Sequence, residues 1–181
     1  MRTFRSRCCS WLLMVGLSTL LGACAKPTPA AQSAPVVAGT PISFEFFAPD
    51  HTRLSHADVR GRVTVLAFGT SYGLATQLLA EELARLASQH KPRINVALVM
   101  MEPVSNQVFV ATFKESLGLS YPVVLVDDAT LHGFGPFGAF KAMPAAVVLD
   151  RQGRLVWSDE GALSIERIKQ EVVAVQRSDA R

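Results

Sequence analysis

The clearest pattern of hydrophobic and polar positions lies near the middle of the chain, at residues 63–83. A largely apolar run, Val63–Phe68, is rich in β-branched residues and is followed at once by glycine and hydroxyl residues. This pattern predicts a buried strand that ends in a tight turn. From Leu74 onward the apolar residues recur every three or four positions, which predicts a helix. Its inward face is expected to contain Ala75, Leu79, Leu83 and Leu86.

The remaining pattern alternates between predicted strands and predicted helices. Strands are expected at Ile42–Pro49, Ile94–Met100, Val123–Val126, Ala145–Leu149 and Leu155–Ser158. Helices are expected around Ser55–Val59, over Val104–Leu117 with Phe109, Phe113 and Leu117 inward, over Ile165–Arg177, and as one turn near Phe137–Phe140. This order predicts an α/β fold in which the central strands are buried on both faces.

The first 23 residues have the composition of a secretory signal. Three arginines precede the apolar run Trp11–Leu21, which is too short for a comfortable membrane span. Residues 21–24, Leu-Gly-Ala-Cys, resemble a bacterial lipobox, which implies that Cys24 is lipidated and becomes the new N-terminus. The alternative is an ordinary signal peptide with an incidental cysteine.

The segment after Cys24 is rich in Ala, Pro, Ser, Thr and Gln and has no apolar period, which predicts a flexible tether. We therefore expect a signal at 1–23, a tether at 24–41 and a folded domain at 42–178. Ala25 follows the cysteine, which resembles the pattern of lipoproteins passed to the outer membrane. The expected location is the bacterial cell envelope, lipid-anchored to the outer membrane and facing the periplasm.

Removal of the signal changes the charge of the chain. The full chain of 181 residues is 49% hydrophobic, 18% charged and formally +3. Since the signal holds three arginines and no acidic residue, the mature chain is formally neutral. No basic stripe remains to neutralise phosphates, so nucleic-acid binding is excluded from the expected functions.

Cysteine usage constrains the chemistry further. The three cysteines are Cys8, Cys9 and Cys24. Two lie in the predicted signal and the third would be blocked by lipid. The mature domain is then expected to have no thiol, although its expected compartment is oxidising.

Residues 63–83 resemble the active-site segment of TlpA-like thiol–disulfide oxidoreductases, within the redoxin and AhpC/TSA-related proteins of the thioredoxin fold. In that family the strand ends in Phe-Trp-Ala-Thr-Trp-Cys-x-x-Cys. Phe68 matches the Phe, Ser71 falls at the Thr and Tyr72 falls at the second Trp. The two cysteine positions fall on Gly73 and Thr76. The resemblance thus implies the family's fold without its reactive pair.

This resemblance extends over Ile42–Arg177 and implies a thioredoxin-like fold with a central mixed sheet, helices on both faces and an N-terminal strand extension. In the family a cis-proline precedes the hairpin beside the active-site turn. Pro144 fits that position, and Asp150-x-x-Gly153-Arg154 fits the turn that follows. The alternative is a trans proline that opens an edge strand.

The backbone beside this proline pairs with extended substrates in the family, and such strand addition needs no cysteine. The expected binding surface consists of Ser71, Tyr72, Gly73, Thr76, Met143, Pro144, Phe137 and Phe140. Alternatively, the aromatic residues are core residues and the groove is filled by the chain's own loop.

Other chemistry has weaker support. The four histidines lie in no triad motif, and only His132 falls in the loop that faces the predicted site. The methionines Met100, Met101 and Met143 are more simply core and edge residues than metal ligands. We expect no metal, no cofactor and no catalytic residue.

Three functions remain open. The leading hypothesis is a redox-inactive envelope lipoprotein that binds an unidentified envelope protein or peptide. The second is a thiol–disulfide oxidoreductase in which a partner supplies the thiol in trans, because disulfide exchange needs a sulfur nucleophile. The third is a structural subunit of an envelope complex.

Overall fold

The computed structural model describes residues 39–90 and 93–178. The predicted signal 1–23, most of the predicted tether and Cys24 lie outside the described residues. Seven strands are described: β1 Glu45–Phe47, β2 Arg53–Ser55, β3 Val63–Gly69, β4 Ile94–Met100, β5 Val123–Leu125, β6 Ala145–Leu149 and β7 Leu155–Glu160. The helices are α1 His56–Val59, α2 Leu74–His90, α3 Gln107–Ser116, α4 Asp128–Leu131 and α5 Ile165–Ser178, with a 3-10 turn at Val104–Asn106 before α3.

The described strands form one mixed sheet in the order β2-β1-β5-β4-β3-β6-β7. The central strand β3 is parallel to β4 and antiparallel to β6. All seven residues of β3 are buried, so its near-continuous apolar sequence serves both faces of the sheet. The strands predicted around it are confirmed, and the fold is the α/β mixed sheet that the sequence predicted.

The three longer helices pack on one face of the sheet. Residues from α2, α3 and α5 share a hydrophobic cluster with Val63, Val65 and Ala67, the odd-numbered positions of β3. Two successive crossovers, β3-α2-β4 and β4-α3-β5, step in the same direction along the sheet. Because parallel crossovers are right-handed, both helices reach the same face.

The second face of the sheet carries a separate hydrophobic cluster, against which the loop residues Phe137 and Phe140 pack. Leu66 and Phe68 of β3 lie in this cluster with Phe44, Phe46 and Val59. The short helices α1 and α4 contribute Val59 and Leu131 to this side. Helices therefore lie on both faces, with the longer ones on the first.

Several predicted details differ in the structure. β1 covers only Glu45–Phe47, shorter than the predicted strand. Residues 137–140 are not helical, and the helical turn lies earlier, at Asp128–Leu131, where the Asp127 side chain accepts a hydrogen bond from the Thr130 amide (2.8 Å). Two residues predicted to point inward, Ala75 and Phe109, are exposed.

The phase of α3 explains the position of Phe109. The segment begins with a 3-10 turn, and the α-helix starts only at Gln107. Val110 and Phe113 then face the core, and Phe109 falls beside them at the edge of that face.

Within the described residues, no helix has both the length and the apolar character needed to span a bilayer.

Candidate functional site

The carboxyl end of β3 leads into α2 through the tight turn Thr70–Gly73, and the resemblance placed the first active-site cysteine at the end of this turn, at Gly73. The turn is closed by its own hydrogen bonds. The Gly73 amide donates to the Thr70 carbonyl (3.1 Å), and the Gln77 amide donates to the Gly73 carbonyl (3.0 Å). The backbone thus keeps a turn at this position without a cysteine side chain.

Thr76, at the second cysteine position, belongs to the interior. It is only 2% exposed, and its hydroxyl accepts a hydrogen bond from the Thr70 amide (3.2 Å). A methyl group added at Gly69 would lie 2.4 Å from the Thr76 Cγ2, so the threonine packs directly on the glycine backbone. The expectation that Thr76 forms part of an open binding surface is therefore wrong, because its side chain is used to brace the turn.

Pro144 lies beside this turn through the register of the sheet. Phe68 of β3 pairs with Ala145 of β6, so the residue before Ala145 adjoins the end of β3. The Met143–Pro144 peptide bond is cis, as the sequence predicted. Pro144 is buried, and its carbonyl accepts a hydrogen bond from the Gly161 amide (2.8 Å). The Met143 backbone makes no hydrogen bond within the described residues.

Phe137 and Phe140 pack inward on this side of the turn. Their ring centroids lie 5.1 and 4.7 Å from that of Phe68, and Phe137 also contacts Phe44 at 5.5 Å. Both rings are half-buried against the second-face cluster. Their predicted role as groove contacts is therefore corrected: they seal the hydrophobic core, because the loop that carries them folds back over Phe68.

The loop also satisfies polar groups next to the proline. The Glu160 carboxylate accepts hydrogen bonds from the backbone amides of Lys141 (2.7 Å) and Ala142 (3.4 Å). Near Pro144, the amides of Lys141 and Ala142 and the carbonyl of Pro144 are therefore already engaged within the chain.

A groove of about 520 Å³ opens on the opposite side of the turn, between the turn and α3. We call it the α3 groove. Its lining consists of Ser71, Tyr72, Gln77, Glu102, Asn106, Phe109, Thr112, Phe113, Ser116 and Leu117. Tyr72 is 80% exposed and Phe109 is 65% exposed, so two aromatic rings stand in solvent at this groove. Of the predicted site residues, it contains Ser71 and Tyr72.

Glu102 lies at the floor of the α3 groove, two residues after the end of β4. It is 2% exposed, and its carboxylate accepts hydrogen bonds from the Ser71 amide and from the Asn106 side-chain amide (2.9 Å). The carboxylate thus joins the turn to the beginning of α3. Sequence reasoning missed Glu102, although an acidic residue after a buried parallel strand lies at the edge where β3 also ends.

Two of the exposed large hydrophobic side chains, Tyr72 and Phe109, line this groove. The exposed large hydrophobic residues near the first turns of α2 and α3 are Tyr72, Leu74, Leu78, Val104, Val108 and Phe109. Two others, Phe47 and Phe134, lie elsewhere in the sequence. Contiguous exposed apolar surface on a soluble domain commonly marks an interaction site.

The histidine singled out from the sequence does not join this site. The ring Nδ1 of His132 lies 2.8 Å from the Asp128 carbonyl of its own helical turn. No group of three or more potential metal-ligating residues gathers in the part of the chain that the structure describes.

Neither a protein-family model nor a curated protein sequence matches the chain. Solved structures do match it. A putative thioredoxin from Neisseria meningitidis superposes with a TM-score of 0.65 at 19% identity, covering 80% of this chain and 95% of that one. A putative thiol:disulfide interchange protein, DsbE, from Chlorobium tepidum gives 0.65 at 17% identity, covering 77% and 98%.

A third structure is the exposed lipoprotein thioredoxin of Streptococcus pneumoniae, with a TM-score of 0.61 at 16% identity, covering 73% of this chain and 98% of that one. All three align over most of both chains. The chain is therefore a protein of the thioredoxin-like fold, similar in structure to thiol:disulfide interchange proteins.

Proposed function

We propose that this chain is an envelope-anchored thioredoxin-like lipoprotein that binds a partner protein or peptide and does not catalyse thiol–disulfide exchange. The observation that carries the proposal is the exposed apolar surface around a turn that holds Gly73 where the resemblance places a cysteine. Disulfide exchange proceeds through a thiolate and a mixed disulfide, which the hydroxyl of a threonine cannot replace.

The binding surface we propose is narrower than the sequence suggested. It consists of the turn residues Ser71, Tyr72 and Gly73 together with the exposed ring of Phe109 in the α3 groove. Supporting it, Tyr72 and Phe109 are large, largely exposed and adjacent to the lining of one cavity. Aromatic side chains of this kind commonly dominate the energetics of protein interfaces.

The anchor is a separate proposal that rests on Cys24. The lipobox-like segment and the similarity to an exposed lipoprotein thioredoxin support it. Wild-type protein should incorporate labelled palmitate and fractionate with membranes, because two or three acyl chains give stable anchoring. Cys24→Ser should lose the label and leave the membrane fraction or remain unprocessed. Absence of label from the wild type would refute the anchor.

A second candidate function is thiol–disulfide oxidation or reduction with the thiol supplied by a partner. It is favoured by the similarity in structure to the putative thiol:disulfide interchange protein from Chlorobium tepidum. A third, a structural subunit of an envelope complex, would use the same exposed surface for permanent assembly.

Photocrosslinking in living cells tests the proposed function. A photoreactive benzoylphenylalanine at Tyr72 should capture a discrete partner, because this side chain stands in the proposed interface. The matched control is the same substitution at Phe134, which is 86% exposed but lies outside the α3 groove lining. Equal crosslink patterns at both positions, or none at Tyr72, would contradict the proposal.

A further inference from the structure

We infer that the α3 groove binds the guanidinium group of an arginine side chain presented by the partner polypeptide. This inference rests on the proposed function, because it names the chemistry that the same surface would recognise. It is carried by one juxtaposition: the buried Glu102 carboxylate lies in the lining of a cavity whose exposed members include Tyr72 and Phe109.

The carboxylate at the floor is polar, buried and without a cation. Its two hydrogen-bond donors are both N–H groups, one on each oxygen. No lysine, arginine or histidine lines the groove, and Glu102 forms no salt bridge within the described residues. A buried carboxylate is normally paired with a cation, and the Glu102 carboxylate lacks such a partner within the described residues.

The carboxylate also retains the capacity to accept more hydrogen bonds. Two oxygens offer about four lone-pair positions, and Ser71 and Asn106 use one on each oxygen. The hydroxyls of Thr112 and Ser116 donate to carbonyls of α3 itself. Glu102 is the one charged side chain in the described lining of the groove.

The aromatic members select the type of cation. A guanidinium is planar, weakly hydrated and able to stack on aromatic faces while its N–H groups point at a carboxylate. A lysine ammonium is more strongly hydrated and offers a point charge without a stacking face. Since Tyr72 and Phe109 are both exposed at a groove with an acidic floor, arginine matches the site in shape and in charge.

The test uses the purified full-length protein and a capped tripeptide, acetyl-Gly-Arg-Gly-amide. Its matched control carries citrulline, which has the shape of arginine without the charge. Nuclear magnetic resonance would follow the Ser71 backbone amide and the Asn106 side-chain amide, the two groups that contact Glu102. We expect the arginine peptide to bind with a Kd on the order of 1 mM and the citrulline peptide to bind about tenfold more weakly.

Variants assign the effect to the groove. Glu102→Gln keeps an acceptor for Ser71, and a flipped Asn106 amide can accept from the new donor, so both hydrogen bonds can persist. It should weaken binding of the arginine peptide by about tenfold and leave citrulline binding unchanged. Phe109→Ala, at an exposed position, should weaken arginine binding about threefold. Val108→Ala, exposed but outside the lining, should have no effect.

Three results would overturn the inference: equal binding of the arginine and citrulline peptides, wild-type binding by both Glu102→Gln and Phe109→Ala, or no local shift at the highest peptide concentration. If the NMR spectrum of Glu102→Gln loses its dispersion, the variant is unfolded, and the binding measured for Phe109→Ala then decides the test. A partner crosslinked at Tyr72 together with peptide failure would refute arginine recognition and leave the proposed function standing. Peptide binding without a Tyr72 crosslink would refute the proposed function instead.

Discussion

The two sides of the turn at the end of β3 differ in how the chain has filled them. On the side of Pro144, the rings of Phe137 and Phe140 pack on Phe68, and Glu160 engages the backbone of residues 141 and 142. On the side of α3, the rings of Tyr72 and Phe109 face solvent. The first side is part of the core, whereas the second is an open groove.

This difference indicates where the remaining capacity for interaction lies. In the resembled family the proline side carries the substrate-pairing backbone, and the sequence alone pointed there. In the structure, the exposed aromatic rings lie on the other side, in the groove that the buried Glu102 carboxylate also lines. An interaction at this end of the sheet would therefore not require a cysteine at residue 73 or 76.

The largest expected effect is a gain of redox activity on restoring both cysteines. The wild-type protein should reduce insulin at the background rate, because residues 25–181 contain no cysteine. The double variant Gly73→Cys and Thr76→Cys should form a disulfide and show measurable turnover. Gly73→Cys alone places a Cβ 2.9 Å from the Thr70 Oγ1 and 3.0 Å from the Thr76 Oγ1, so the paired change also removes one of these close contacts.

The appropriate control is the pair Gly73→Ser and Thr76→Ser, which should stay at background. A double-cysteine protein that folds but shows two free thiols under oxidising conditions would contradict the placement of the two positions. Turnover by the wild type would contradict the distinction between an inactive turn and a binding groove.

The next prediction compares the stability lost when a core phenylalanine, Phe68, and a groove phenylalanine, Phe109, are each truncated to alanine. Phe68→Ala should lower the free energy of unfolding by about 3–5 kcal/mol, because Phe68 is fully buried and packs against two other rings. Phe109→Ala should change it by no more than about 0.5 kcal/mol, because most of that side chain is already in water. Urea denaturation followed by circular dichroism measures both. Similar losses would show that the α3 groove is part of the core.

The smallest expected effect is a change in stability at alkaline pH, which depends on Tyr121 in the core beneath α2. The Tyr121 hydroxyl is buried and donates to the Ala80 carbonyl (2.8 Å), and burial raises the pKa of Tyr121 well above its ordinary value of about 10. The folded state therefore keeps the phenol proton at a pH where the unfolded chain releases it. Stability from this group is present below pH of about 10 and is lost as the pH rises further, by up to about 1.4 kcal/mol per pH unit.

Tyr121→Phe should remove this alkaline slope and cost about 1 kcal/mol at neutral pH through the lost hydrogen bond. Urea midpoints measured across the alkaline range would show it. An unchanged slope in the variant would mean that other groups control alkaline unfolding.

The sequence was sufficient for the scaffold because its signals are local and periodic. β3, α2, β4 and β6 begin where their apolar patterns begin, and the glycine-rich turn lies between β3 and α2 as predicted. These elements are long or fully buried, so their pattern has little ambiguity.

The site was predicted less well because it depends on whether each side chain points into the core or toward solvent. The resemblance placed a reactive cysteine at Thr76, yet in the structure this side chain packs inward against Gly69. Phe137 and Phe109 are both aromatic residues outside strands, and only the path of the loop and the phase of α3 decide that one is packed and the other exposed. Glu102 gave no motif, because its role comes from the adjacency of two strand ends.

The central claim is that this end of the sheet holds a partner without a thiol. The most direct test measures the crosslink formed from Tyr72 in cells before and after all envelope thiols are blocked with N-ethylmaleimide. The account predicts the same partner at the same yield, because apolar and charged contacts do not need sulfur. Loss of the crosslink after thiol blocking would contradict it and would support a thiol supplied in trans.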